Sequence, residues 1–288
     1  MNISFNPITS IKMPVFKGNN VNYTSEPVQD SFVRSDKKEI QMKKLNELFP
    51  NGGVDKVYDE INKDFGIDKP AKLNFWGDND GVVGGGYTFE KNEINLSLSD
   101  LLSDTKIVGI KDGKRTVLIS PRNGLPLFIN KSFADDFVKL QSQKGNLGFD
   151  ELFAEPLTEK EQQKFVVQKI THEVIHAQQH MILRQTEGIG EKEIIKAWTH
   201  KKPKNMIEKK SLEMITDKLY EQSYWSNQPK TEQKIKKGTI PEAFARTWLE
   251  AIRNYPPVDS PEYEKNPIEM DAYRRSAQYA YKKYGPWN

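Results

Sequence analysis

Residues 158–185 read TEKEQQKFVVQKITHEVIHAQQHMILRQ, and the fold turns on this stretch. Thr158 followed by Glu161 is a capping box, in which each side chain satisfies a backbone N–H at the start of a helix. Neither proline nor glycine interrupts the run before Gly188, so the pattern predicts a helix over Glu159 to about Gln185. At 100° per residue, Val166, Val167, Ile170, Val174, Ala177 and Met181 gather on one face. His172 and His176 fall roughly opposite, with Gln168 and Gln179 beside them. The expectation is an apolar back for the core and a polar, imidazole-bearing front.

Upstream, Met1 to about Ser35 has no sustained period and is expected to be a flexible leader; it lacks the basic cluster and apolar run of a secretory signal. Helices are expected over Lys37–Leu48 and Val54–Phe65. Short β runs follow at Leu73–Trp76, Val82–Phe89, Ile94–Ser99, Lys106–Ile110 and Arg115–Ile119, separated by the Asp, Asn and Gly pairs of hairpins. The glycines Gly84, Gly85 and Gly86 do not make a phosphate loop, because no Gly-Lys-Ser/Thr follows and Tyr87 continues a strand. From residue 131 on the chain reads as helical. After the long helix come Glu191–Ala197, Asn205–Gln222, Pro241–Asn254 and Pro267–Tyr284, the last opened by Asn266 as N-cap and Pro267 in the first turn.

The 288 residues suffice for a sizeable core, and residues 36–288 are expected to form one domain with a helical insertion at about 188–260. No apolar run approaches the roughly 20 residues of a spanning helix, which argues against a membrane protein. Forty-three basic and 40 acidic residues are interspersed to a net charge of +3, so nothing points to nucleic acid or a membrane surface as a partner. The chain has no cysteine, which removes disulfides, thiolate metal sites and cysteine nucleophiles and leaves the compartment open. Three of the four histidines fall within nine residues.

His172-Glu173-Val174-Ile175-His176 is an H-E-x-x-H arrangement. On a helix its histidines are roughly 40° apart around the axis and about 6 Å along it, so both imidazoles can reach one ion. Glu173 then stands beside the open coordination position, where a carboxylate can take a proton from a water that the ion has acidified. With 4 His and 23 Glu in the chain, random order would give this pattern in roughly one of 200 such sequences, so accident is a weak rival. His180 is a poor third ligand, lying about 12 Å along an unbroken helix from His172; it is expected at the rim, behind the ligands, or simply exposed. Metzincins end the helix with a glycine before their third histidine, whereas Ala177, Gln178 and Gln179 continue this one. Deformylase chemistry needs a cysteine ligand and is excluded.

The remaining ligand is therefore expected to be a carboxylate on a later helix. Glu269 is favoured, in the first turn of a capped helix, with Ala272 small enough to permit close packing and Asp271 pointing away. Glu213, paired with Asp217 four residues on, is the competitor.

Taken in order, the strand-rich segment ending in Gly85–Leu96, the helix with His172-Glu173-x-x-His176, and Glu269-x-x-Ala272 resemble a gluzincin zinc metallopeptidase. Within that group the chain is most similar to toxin-type domains such as the catalytic domain of anthrax lethal factor and the Pro-Pro endopeptidases. The resemblance spans roughly residues 70–285. It implies an α+β, zincin-like fold with a mostly antiparallel N-terminal sheet packed on the active-site helix and a helical C-terminal half. It further implies a zinc ion held by His172, His176 and Glu269, Glu173 as general base, and a protein or peptide substrate. A tyrosine ahead of the ligand glutamate donates to the oxyanion in those relatives; Tyr263 stands six residues before Glu269, one short of the expected spacing, with Tyr273 and His200 as substitutes. Tyr273 also occupies the place, four after the glutamate, where many gluzincins carry an acidic residue, which leaves the outer partner of His172 or His176 unassigned. No Gly-x-Met-x-Asn exopeptidase signature is present, so an endopeptidase is expected, its substrate extended along a strand edge of the Val82–Ser99 hairpin. The contrasting expectation is a zinc-binding effector or interaction module without turnover.

Overall fold

The computed structural model describes residues 29–77, 85–120, 125–126, 131–199, 205–257 and 260–287, with side chains left aside at 29–35 and 131–133. Two helices open it, α1 (Gln29–Glu47) and α2 (Gly53–Asp64). Strands β1 (Lys72–Trp76), β2 (Gly85–Thr88) and β3 (Glu93–Ser97), the short helix α3 (Leu98–Leu101), and strands β4 (Thr105–Lys111) and β5 (Lys114–Val117) follow. Helix α4 (Lys131–Ser142) and strand β6 (Glu151–Pro156) lead into the long helix α5 (Glu159–Gln185). The C-terminal half is helical: α6 (Glu191–Trp198), α7 (Met206–Gln222), α8 (Ile240–Arg253) and α9 (Pro267–Tyr284). The class is α+β, with small sheets ahead of a helical half. No helix among the described residues is long and apolar enough to cross a membrane.

The β region departs from the expected single, mostly antiparallel sheet. It forms two three-stranded sheets, ordered β1-β3-β2 and β5-β4-β6. The first is mixed, because β1 runs parallel to β3 while β2 and β3 form an antiparallel hairpin. Ile94 and Leu96 explain why β3 takes the centre: both are fully enclosed, and only the middle strand offers that burial, whereas β2 begins with two glycines that have nothing to bury. Hairpin signals fix sequence neighbours and are silent about the third strand. The hairpin of β4 and β5 turns as expected at Asp112 and Gly113, both at positive φ, the geometry that a two-residue type I′ turn demands.

Strand β6 corrects the reading that the chain is helical from residue 131. Its sequence, ELFAEP, has the helix formers Glu, Leu and Ala, yet it pairs antiparallel with β4 from Ile110↔Glu151 to Thr105↔Pro156, and tertiary pairing overrides propensity. The approach to β6 is close: a Cβ on Gly109 would sit 2.4 Å from the Phe149 ring. Helix α1 also begins at Gln29, eight residues before the expected Lys37. Residues 1–28, the expected strand start at Val82, Gly84 and His200 lie outside the described residues.

Helix α5 starts and stops where its sequence predicts, with both capping-box bonds formed at Thr158 and Glu161. Its polar front is buried as well as its apolar back. Thr171, His172, Glu173, Val174 and Ile175 are buried in succession, so its middle is enclosed on every side. Val166, Val167, Ile170, Val174 and Ala177 pack into a core shared with α1, α2, β1, β3 and α3. Leu183 joins a second core with Phe89, Ile194, Trp248, Ile252 and Ile268. The N-terminal end of α5 is pinned to the second sheet by Lys106, buried between Glu155 at 3.0 Å and Glu161 at 2.6 Å.

Helix α9 covers the histidine face of α5 and runs antiparallel to it. Gln179 near the end of α5 donates to Ile268 O at 3.0 Å, and Lys164 near its start donates to Gly285 O at 2.6 Å. Ala272, Ser276 and Ala280, four residues apart, are all 1% exposed or less. That seam of small side chains is what lets two helices bearing polar groups approach closely. Ala272 thus fills the role expected of it.

Candidate metal centre

Local sequence places each chelating group. The unbroken 3.6-residue period of α5 stacks His172 and His176 one turn apart, with Nε2 atoms 3.1 Å from each other. Asn266 caps α9 by accepting from Ile268 N at 3.0 Å and donates to Ala251 O at 3.0 Å, so the first turn of α9 is fixed in direction as well as in start. That turn delivers Glu269, whose side chain is 1% exposed, with Oε2 3.3 Å from His172 Nε2 and Oε1 3.4 Å from His176 Nε2.

These spacings suit a shared cation. Two ligand atoms about 2.0–2.1 Å from one ion at a tetrahedral angle lie about 3.3–3.4 Å apart. Glu269 Oε2 is buried without a hydrogen-bond partner, a costly state for a carboxylate oxygen that a bound cation would relieve. Among the described residues, His172, His176 and Glu269 form a group that can hold a metal ion. Glu213 is not in it: that side chain is exposed on α7, and Asp217 is engaged by Lys192 at 2.6 Å.

The electrostatics are those of a cation site. Burial would lower the His176 imidazole, but the adjoining Glu269 carboxylate outweighs it and raises the pKa to about 9. Burial would raise Glu269, yet the two imidazoles hold it well below the usual carboxylate range. At pH 7 the metal-free protein therefore keeps a proton on His176 that a metal must displace. Metal uptake at pH 7 should release about one proton, and affinity should climb about tenfold per pH unit up to about pH 9. Titration calorimetry in buffers of different ionisation enthalpy checks this; heats independent of the buffer would contradict it.

A cavity of about 220 Å³ opens beside His172, His176 and Glu269. Glu173, Tyr263 and Tyr255 line it, as do Gly85 and Gly86 of β2. Phe89, Trp198 and Tyr255 form an aromatic wall, with Phe89 stacked on Trp198 at 5.4 Å and Trp198 tilted on Tyr255 at 5.0 Å. Tyr255 is a site residue that sequence reasoning missed. It follows α8 with no motif around it, and only the return of the chain to α9 brings its hydroxyl onto Glu269 Oε1. A carboxylate only accepts, so the single Tyr255 proton goes to Glu269. The Tyr263 hydroxyl, 3.4 Å from that of Tyr255, keeps its own proton for the Tyr255 oxygen or for a group in the cavity. Burial and the Glu269 charge raise the pKa of both phenols, so both stay protonated at neutral pH.

Two expectations need correction. His180 is 4% exposed, so it is not free in solvent; it lines the cavity, with Nδ1 3.2 Å from the Tyr87 hydroxyl and Nε2 3.2 Å from Glu191 Oε1. Asp271 does not point away but accepts from Gln179 Nε2 at 3.0 Å. Tyr273 packs its ring on His172 at 4.4 Å, which holds that imidazole from the side.

No family model matches the chain, and neither a curated protein nor a solved structure matches it.

Proposed function

We propose that the chain is a zinc-dependent endopeptidase of the gluzincin type with a zincin-like fold. The observation that carries this reading is the union of the His172–His176–Glu269 group with Glu173 in the wall of one open cavity. Two imidazoles and a carboxylate are the donor set of a catalytic zinc with a position left open. A zinc ion bound there supplies Lewis acidity to water and to a carbonyl oxygen. Glu173 takes the proton from the attacking water and returns it to the leaving amine. Tyr263 donates its hydroxyl proton to the oxygen that becomes negative. A zinc-binding module without turnover has no use for a carboxylate at position 173, which is why the enzymatic reading is preferred.

The substrate would lie along β2, an outer strand of its sheet, by strand addition. Gly85 and Gly86 differ in what surrounds them. A Cβ at Gly85 would meet Leu96 Cδ2 at 2.4 Å, whereas one at Gly86 would meet nothing within 4 Å. Gly86, in the cavity lining, is the side-chain-free position that leaves room for a peptide backbone. Gly86→Leu is expected to leave thermal stability within about 1 kcal/mol of wild type, since the strand can accept a side chain there. It should raise KM for peptide substrates at least about tenfold by filling the cleft, the loss expected from about 1.4 kcal/mol of binding. Unchanged KM would remove β2 from the substrate path.

The test of the whole reading is metal analysis of protein purified without added zinc, followed by mass spectrometry of a peptide library incubated with it. One zinc per chain and chelator-sensitive cleavage inside peptides support it. Protein that takes up no zinc, or that cuts equally well after chelation, refutes it.

A further inference from the structure

The centre holds its two histidines by different means. His172 Nδ1 is buried without a hydrogen-bond partner. His176 Nδ1 lies 2.8 Å from Gln179 Oε1. Gln179 is fully buried, one turn beyond His176 on the same helix. Its amide nitrogen faces Ile268 O at 3.0 Å and Asp271 Oδ2 at 3.0 Å. Both of those atoms only accept, which fixes which end of the amide is nitrogen, an assignment that the amide shape alone does not settle. The carbonyl end must therefore face the imidazole, and a carbonyl oxygen accepts, so Nδ1 of His176 must carry a hydrogen.

Asp271 is anchored in turn. Arg275 donates to Asp271 Oδ2 at 3.3 Å and to Gln178 Oε1, and Gln178 donates to Phe65 O, which ends in the turn after α2. Ile268 is the residue directly before Glu269. One amide therefore ties a ligand on α5 to the turn of α9 that presents the other ligand.

We propose that Gln179, oriented by Asp271, is the positioning residue of the metal centre: it keeps the hydrogen of His176 on Nδ1, commits the Nε2 lone pair to the metal, and sets the spacing between His176 and Glu269. The inference rests on the metal-binding part of the function proposed above. It fills the place that the sequence left open, since the acidic residue stands two after Glu269, not four, and acts through an amide on the metal helix. Gln179 touches neither substrate nor metal, and its effect passes through His176 and the first turn of α9.

Zinc affinity by chelator competition, with the full chain, tests this. Q179L removes both halves of the link and should weaken zinc binding roughly 10–100-fold, the range for losing an outer partner of a ligand histidine. Q179E can still accept from His176 but sets a carboxylate against Asp271 and Ile268 O, so it should weaken binding at least as much. Q179E/D271N restores a donor opposite the new carboxylate and should recover most of the loss. A merely structural role for Gln179 would not produce that recovery, and the pair decides the matter if Q179L does not fold. In zinc-loaded wild type, nitrogen-15 spectra of the imidazoles should place the remaining His176 proton on Nδ1. Wild-type affinity in Q179L, no recovery in Q179E/D271N, or a proton on Nε2 would overturn the inference while leaving the zinc reading intact. A wild-type protein that binds no zinc would instead overturn the reading on which it rests.

Discussion

Glu269→Ala is expected to lower zinc affinity by roughly two to four orders of magnitude, while Glu213→Ala leaves it unchanged. The first substitution takes away one of three ligands and the only charged one, and two imidazoles alone make a weak bidentate site. It also strands the Tyr255 hydroxyl, which loses its acceptor on Glu269 Oε1. Glu269→Gln separates these effects, because the amide retains the shape and an acceptor for Tyr255 but no charge; it should fall between alanine and wild type. The metal-free alanine variant should still fold, since α9 remains capped by Asn266 and packed through Ala272, Ser276 and Ala280. Chelator competition gives the affinities, and far-UV circular dichroism gives the fold control. Glu213 on its exposed helix face serves as the control for carboxylate loss in general. Equal zinc affinity in wild type and Glu269→Ala would dissolve the three-ligand centre.

The parts of the molecule legible in sequence are those set by local periodicity and capping. Helix α5 was readable to the residue because Thr158 and Glu161 close a capping box within four residues, and α9 because Asn266 and Pro267 leave one way to begin. The group that can hold a metal ion was readable for the same reason: two of its residues sit one helical turn apart, and the third sits in a capped first turn. What failed depends on distant partners. Strand β6 carries helix-forming residues and becomes a strand only because β4 needs a second neighbour. Likewise β1 lies parallel to β3 because β3, whose Ile94 and Leu96 are the side chains fully enclosed, takes the centre, which no turn signal encodes. Helical-wheel reasoning separated the apolar and histidine faces of α5; α9 covers the histidine face, where Gln179 and Asp271 satisfy each other while His172 Nδ1 and Glu269 Oε2 are left without a hydrogen-bond partner. Tyr255, and the contact of Gln179 with Asp271, connect residues 14 and 92 positions apart respectively, where spacing rules say nothing.

Glu173→Gln should keep the metal and the fold but reduce kcat by at least about 10²–10⁴-fold, the usual contribution of a general base. The glutamine matches the carboxylate in volume, so the buried position next to His172 is filled as before, and 8% exposure leaves little room for a rearrangement. An amide oxygen cannot take the proton of the attacking water at neutral pH, and no amide group can return one to the departing amine. KM should change little, because in the proposed endopeptidase Glu173 would act on the water and the leaving group while β2 and the aromatic wall would hold the peptide. A drop in kcat with zinc affinity retained separates this role from that of the ligands, whose loss removes metal and activity together. The same variant also distinguishes the enzyme from a metal-holding module. In a module the substitution would be silent in every assay, whereas in an endopeptidase it converts the protein into one that binds its substrate without cutting it. Cleavage of a wild-type substrate at an undiminished rate by Glu173→Gln would refute the assignment of the base.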